Sequence, residues 1–131
     1  MIVADANLIA YYYLPGPLQT LAHKVLDKDP AWFVPPILFS EFRNILLGFI
    51  KAKQLHRKDA IELAAKVEFG FSQRTKGISS AQVIELACDS GCSAYDAEYV
   101  CLAKIMAIPL VTNDKYLLKA FPKIAVSLDH F

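Results

Sequence analysis

Apolar residues along this chain follow two rhythms. Short stretches at positions 1–5, 31–34, 108–112 and 124–128 are almost continuously apolar and are bounded by polar residues or proline, the pattern of strands buried on both faces. Between them, apolar residues recur at three- and four-residue spacing, as in Leu18, Leu21, Ala22, Val25 and Leu26. That spacing predicts helices over Leu18–Leu26, Ile37–Lys53, Lys58–Phe71, Ser80–Ser90, Tyr95 to about Met106, and Asp114–Phe121. A further helix begins at Leu8 and is interrupted by Pro15-Gly16-Pro17. Pro35-Pro36 stops the second strand, Gly91 stops the Ser80–Ser90 helix, and Ser93-Ala94-Tyr95-Asp96 forms a capping-box-like start to the next. A weaker signal places a short strand at Lys76–Ser79. Strands alternating with helices imply an α/β fold with a central parallel sheet covered on both faces. No repeat, linker or low-complexity segment divides the chain, so residues 1–131 are expected to form one domain.

Composition narrows the setting. With 55% apolar residues, the chain builds a full core without disulfide or metal staples. No apolar run approaches the ~20 residues of a membrane-spanning helix, so no membrane is implied. No basic region precedes the apolar N-terminus, which argues against a signal peptide. Three cysteines, Cys88, Cys92 and Cys101, are an odd number and suggest no disulfide framework, so a reduced cytoplasmic location is expected. Cys88 and Cys92 lie four apart with no second Cys or His pair, a poor zinc spacing. Cys88 and Cys101 read instead as small buried apolar residues.

Four acids occupy places where carboxylates are uncomfortable. Asp5 closes the first apolar run and Asp114 follows the run 108–112, while Glu41 and Asp96 lie early in helices. Strand carboxyl ends and the helix starts that follow them share one edge of an α/β sheet, where ligands bind. Each acid has a plainer role available. Asp5 and Asp114 suit helix starts, and Asp96 suits a reciprocal cap with Ser93. Glu41 is harder to place, because it projects beside the apolar stripe of its helix. Asp96 shares a face with Tyr99, Val100 and Ala103, and leaves Glu98 as the solvated acid. Gathered buried acids repel one another unless a cation sits among them. With four of 13 acids so neutralised, nine acids face 14 bases and the remaining surface is cationic, able to hold a polyanion.

The pieces Val3-Ala4-Asp5-Ala6-Asn7, Ser40-Glu41-Phe42-Arg43-Asn44, Ala94-Tyr95-Asp96-Ala97 and Val111-Thr112-Asn113-Asp114 resemble, in order and spacing, the PIN-domain ribonucleases. They look most like the VapC-type toxins of toxin–antitoxin pairs, and the resemblance covers essentially the whole chain. It implies a PIN-like three-layer α/β/α sandwich and an endoribonuclease dependent on Mg²⁺ or Mn²⁺. It also implies a metal site of Asp5, Glu41, Asp96 and Asp114, assisted by Asn7 and Thr112. A homodimer and a cognate antitoxin follow from the same resemblance, the antitoxin blocking the acids with a basic side chain and laying an amphipathic segment in an apolar groove. One departure stands out. Many relatives carry a further acid where this chain has Tyr116, which bears on whether one ion or two are held.

Other residues are weighed against this reading. His23, His56 and His130 fall at exposed positions and are not needed for metal-assisted hydrolysis. Arg43, one helical turn from the acidic edge, is a candidate RNA or antitoxin contact. Lys51, Lys53, Arg57, Lys58, Arg74 and Lys76 form a solvated or RNA-facing basic surface, and Tyr11-Tyr12-Tyr13 supplies packing or base stacking. A haloacid-dehalogenase-type phosphatase would want an aspartate where Asn7 stands. A housekeeping RNA-processing nuclease of the same fold and a non-catalytic PIN-like binding module remain the alternatives.

Overall fold

A computed structural model describes residues 1–131. The apolar runs form four short strands, β1 (Ile2–Ala4), β2 (Trp32–Phe33), β3 (Leu110–Val111) and β4 (Ala125–Val126). All pair in parallel, in the order β2-β1-β3-β4. Seven helices intervene: α1 (Ala6–Tyr13), α2 (Gln19–Lys28), α3 (Ile37–Lys51), α4 (Arg57–Phe71), α5 (Ser80–Ser90), α6 (Ala94–Met106) and α7 (Lys115–Ala120).

Successive strand residues point to opposite faces, and the core divides accordingly. Ile2 and Ala4 of β1 and Val111 of β3 pack with Leu8, Leu38, Phe42 and Val67 of α1, α3 and α4. Val3 and Leu110 pack the other way, with Tyr99, Val100, Leu102 and Leu117 of α6 and α7. Both faces of the sheet are therefore covered, which makes the three-layer α/β/α arrangement. Ile2, Val3, Ala4, Leu110 and Val111 are wholly buried, so an apolar run with no alternation is the pattern this sheet requires. No helix is long and apolar enough to cross a membrane.

The strand expected at Lys76–Ser79 does not form. One isolated parallel bridge joins Val34 to Thr75, with the Val34 amide on the Arg74 carbonyl and the Lys76 amide on the Val34 carbonyl, both at 3.0 Å. Arg74, Lys76, Gly77 and Ser79 are exposed, and Ile78 alone of the expected strand packs against the core. Cys88 is exposed, against expectation, whereas Cys101 is buried. Among the residues of α5 only Val83 is fully buried, and the face that carries Cys88 is turned to solvent.

Candidate active site

The sheet register sets the first half of the site. Ala4 pairs with Val111, so the residues that follow, Asp5 and Thr112, emerge side by side. The order β2-β1-β3 makes this the point where the chain's progression across the sheet reverses. Asp5 and Thr112 are the two polar residues that are fully buried, at 8% and 0% exposure. The Thr112 hydroxyl donates to Asp5 Oδ2 at 2.5 Å, and the Leu8 amide donates to Asp5 Oδ1 at 2.7 Å. Asp5 is thus the N-cap of α1 and also lines the cleft at this edge of the sheet. Thr112 Oγ1 also accepts the Asp114 amide at 3.0 Å, and Asp114 Oδ1 accepts the Leu117 amide at 2.9 Å, capping α7. Helix capping and site formation coexist because a carboxylate oxygen that accepts one amide keeps a further lone pair.

Helices α3 and α6 supply the other half. On α3, Glu41, Asn44 and Ile45 share a stripe at three- and four-residue spacing and face the site. On α6, Asp96 and Tyr99 do the same. The Tyr99 hydroxyl donates to Glu41 Oε2 at 2.5 Å. Ser93 Oγ accepts the Asp96 amide at 3.0 Å. The capping box is therefore made in one direction, and the Asp96 carboxylate remains at the cleft.

These residues line one cleft of about 270 Å³, with Asp5, Glu41, Asp96 and Asp114 in its wall together with Asn7, Asn44 and Tyr99. No lysine, arginine or histidine lines it. Larger hollows lie elsewhere, about 760 Å³ between α3 and α4 and about 500 Å³ beside α5, α6 and α7, but neither gathers carboxylates of this kind around a sheet edge. Burial pushes the Asp5 carboxyl up to about 6, against the pull of the Thr112 and Leu8 hydrogen bonds, and Glu41 and Asp114 push it further. Glu41 is raised by burial and by the charges of Asp96 and Glu98, opposed by the Tyr99 bond. Asp96 is raised by burial and by Asp114, opposed by Ser93. The acids thus share one field without a compensating base. No three of them stand close enough to make a finished metal cage. The donor set still fits a hard divalent ion. Mg²⁺ takes one or two carboxylates and completes its shell with water and phosphate.

Other expected residues lie elsewhere. Arg43, two positions from Glu41 and so on another face of α3, stands 3.6 Å from Glu68 of α4, at the surface. His23 stacks on Tyr12, His56 precedes α4, and His130 Nδ1 lies 2.7 Å from Ser127 Oγ. Tyr11, Tyr12 and Tyr13 pack half-buried against the larger core, the packing alternative. Tyr116 donates its hydroxyl to the Ser90 carbonyl at 2.6 Å and does not line the cleft. Glu98 is only half-exposed and its charge reaches Glu41, so it is not the freely solvated acid expected of it. Two cleft residues escaped the sequence reading. Asn44 follows Glu41 by three, and Tyr99 follows Asp96 by three. That spacing was the available signal in both cases.

The chain matches the PIN domain family over residues 2–124. It is 27% identical to Ribonuclease VapC3 of Pyrobaculum aerophilum, over 94% of this chain and 96% of that relative. Its fold is similar to the crystal structure of PAE2754 from Pyrobaculum aerophilum, with TM-score 0.76, 21% identity, and coverage of 98% of this chain and 83% of that one. It is also similar to a chain of a toxin–antitoxin complex from Klebsiella pneumoniae, with TM-score 0.69, 16% identity, and coverage of 100% of both chains. A match across nearly the whole sequence, on a fold that brings the four acids to one cleft, means that this chain belongs to the PIN domain family.

Proposed function

We propose that this chain is a Mg²⁺- or Mn²⁺-dependent endoribonuclease and the toxin of a toxin–antitoxin pair. The observation that carries the reading is the cleft walled by four carboxylates with no base among them. The likeness to a ribonuclease and to a chain of a toxin–antitoxin complex supports the substrate and the biological role. Asp5, Glu41, Asp96 and Asp114 would hold the ion. When bound, such an ion neutralises charge on the scissile phosphate and activates water for in-line attack. Thr112 and Leu8 fix Asp5 in one orientation, so that little ordering remains to be done on binding. Exposed Asn7 and Asn44 offer amides to the RNA backbone at the rim. The products expected are a 5′-phosphate and a 3′-hydroxyl.

The test is cleavage of RNA by the purified chain with Mg²⁺ or Mn²⁺. Cleavage should stop on chelation, and Asp5→Asn or Asp96→Asn should fold but not cut. Full cleavage in chelator, or by either variant, rejects the reading.

The antitoxin's place is supported by the α3–α4 groove. Leu46, Leu47, Ile50, Ile61 and Ala64 line it, and Arg43, Lys51 and Arg57 flank it with Glu68 as the sole acid. An amphipathic segment with apolar anchors and acidic flanks fits such a groove, while a basic side chain from the same partner would enter the acidic cleft. A homodimer belongs to the same proposal. Phe69, Ile84 and Ile105 stand exposed outside that groove, apolar surface of the kind a second copy would cover. Sedimentation of the purified chain tests it, and a monomer at high concentration rejects it.

A further inference from the structure

Tyr99 and Glu41 come from helices on opposite sides of the sheet, 58 positions apart in the chain. Their bond is the one hydrogen bond between α3 and α6, which form facing walls of the acidic cleft. Tyr99 is 2% exposed and belongs to the buried cluster that includes Val3, Val100 and Leu110. Glu41 has no comparable restraint. Its side chain crosses the cleft from a helix otherwise packed on α1 and α4. The phenol occupies Oε2 and leaves Oε1 with no hydrogen-bond partner. The buried Asp5, by contrast, has two donors from its own surroundings, Leu8 and Thr112. Glu41 depends on Tyr99 alone.

We infer that Tyr99 is a positioning residue, a strut from α6 that fixes the Glu41 carboxylate across the cleft and presents Oε1 to the cation. The inference rests on the metal-nuclease reading above and adds the residue that sets the geometry of its least restrained ligand. The phenol also sets the span between the two walls. Without it, Glu41 is free to swing along α3 away from the sheet edge, and a cation meets a ligand that must be ordered on arrival. The effect belongs to ion binding and turnover rather than to RNA capture, because Tyr99 is buried and the RNA-facing rim is formed by others.

Tyr99→Phe removes one oxygen and keeps the ring. The expected result is a folded protein whose Mn²⁺ affinity falls on the order of tenfold, the size expected for losing a hydrogen bond to a charged group. Its kcat falls at limiting metal, and its KM for RNA stays near wild type. In a Glu41→Gln background the same substitution should cost Mn²⁺ affinity nothing further, since the strut then has no ligand to hold. Wild-type Mn²⁺ affinity in Tyr99→Phe overturns the inference, and so does an equal loss with and without the Glu41 carboxylate. Should Tyr99→Phe fail to fold, Glu41→Asp withdraws the carboxylate from the phenol with the ring intact, and wild-type Mn²⁺ binding there overturns it as well. A dead Asp5→Asn beside an unaffected Tyr99→Phe rejects only the strut. A fully active Asp5→Asn rejects the nuclease site itself.

Discussion

The Thr112 hydroxyl serves Asp5 and Asp114 at once, donating to the Asp5 carboxylate and accepting the Asp114 amide. One side chain thus ties the ends of β1 and β3 together and orients two of the four acids. Thr112→Val keeps the shape and removes both bonds, leaving a buried carboxylate short of a donor. Unfolding in urea should show a loss of about 1–3 kcal/mol, with RNA cleavage falling further than stability alone explains. A variant as stable and active as the wild type contradicts this role.

The metal-free protein should grow less stable as pH rises from about 4 to about 6. Asp5 keeps its proton in the fold up to about 6 but loses it near 3.8 when unfolded. The folded state therefore binds more protons across that window. The stability is fully present below 3.8 and is lost as pH passes 6, by on the order of 3 kcal/mol. Glu41 and Asp96, also raised, act with the same sign. Thermal melts from pH 4 to 7 check this. Asp5→Asn should flatten the curve and melt higher than wild type at pH 7, since asparagine still caps α1. A wild-type curve that rises over the window contradicts it.

Phe42 sits one residue from Glu41 and is 1% exposed, among the largest side chains of the core. Phe42→Ala should cost about 3–5 kcal/mol by urea unfolding, separating the core-packing face of α3 from the face that lines the cleft. An effect under about 1 kcal/mol would mean that α3 is not anchored as described.

Leu47 is half exposed in the α3–α4 groove. Leu47→Asp should leave stability within about 0.5 kcal/mol and leave RNA cleavage unchanged. Neutralisation by the antitoxin should weaken on the order of tenfold or more in a pull-down or titration. Unaltered neutralisation removes the antitoxin from this groove.

The strands, the alternation with helices and the edge where the acids meet were legible in the sequence because apolar rhythm and topology determine them locally. Lys76–Ser79 was misread because a bridge of one residue, Val34 with Thr75, leaves no periodic trace. Cys88 was misread because burial depends on which face of α5 meets α6, and composition does not reveal that. Tyr99 looked like core and is core. Its hydroxyl's partner lies on a helix 58 residues away, a relation visible only once the chain is folded. Helical phase alone turns Glu98 to solvent, although its charge reaches Glu41.

The central claim is that Asp5, Glu41, Asp96 and Asp114 serve one cation. Titration of Mn²⁺ into metal-free protein tests it most directly, with wild type beside Asp5→Asn and Asp96→Asn. Saturable binding by wild type that each substitution weakens on the order of tenfold or more, with folding retained, is the predicted result. Mn²⁺ affinity unchanged in both variants, or no saturable binding by wild type, would contradict it.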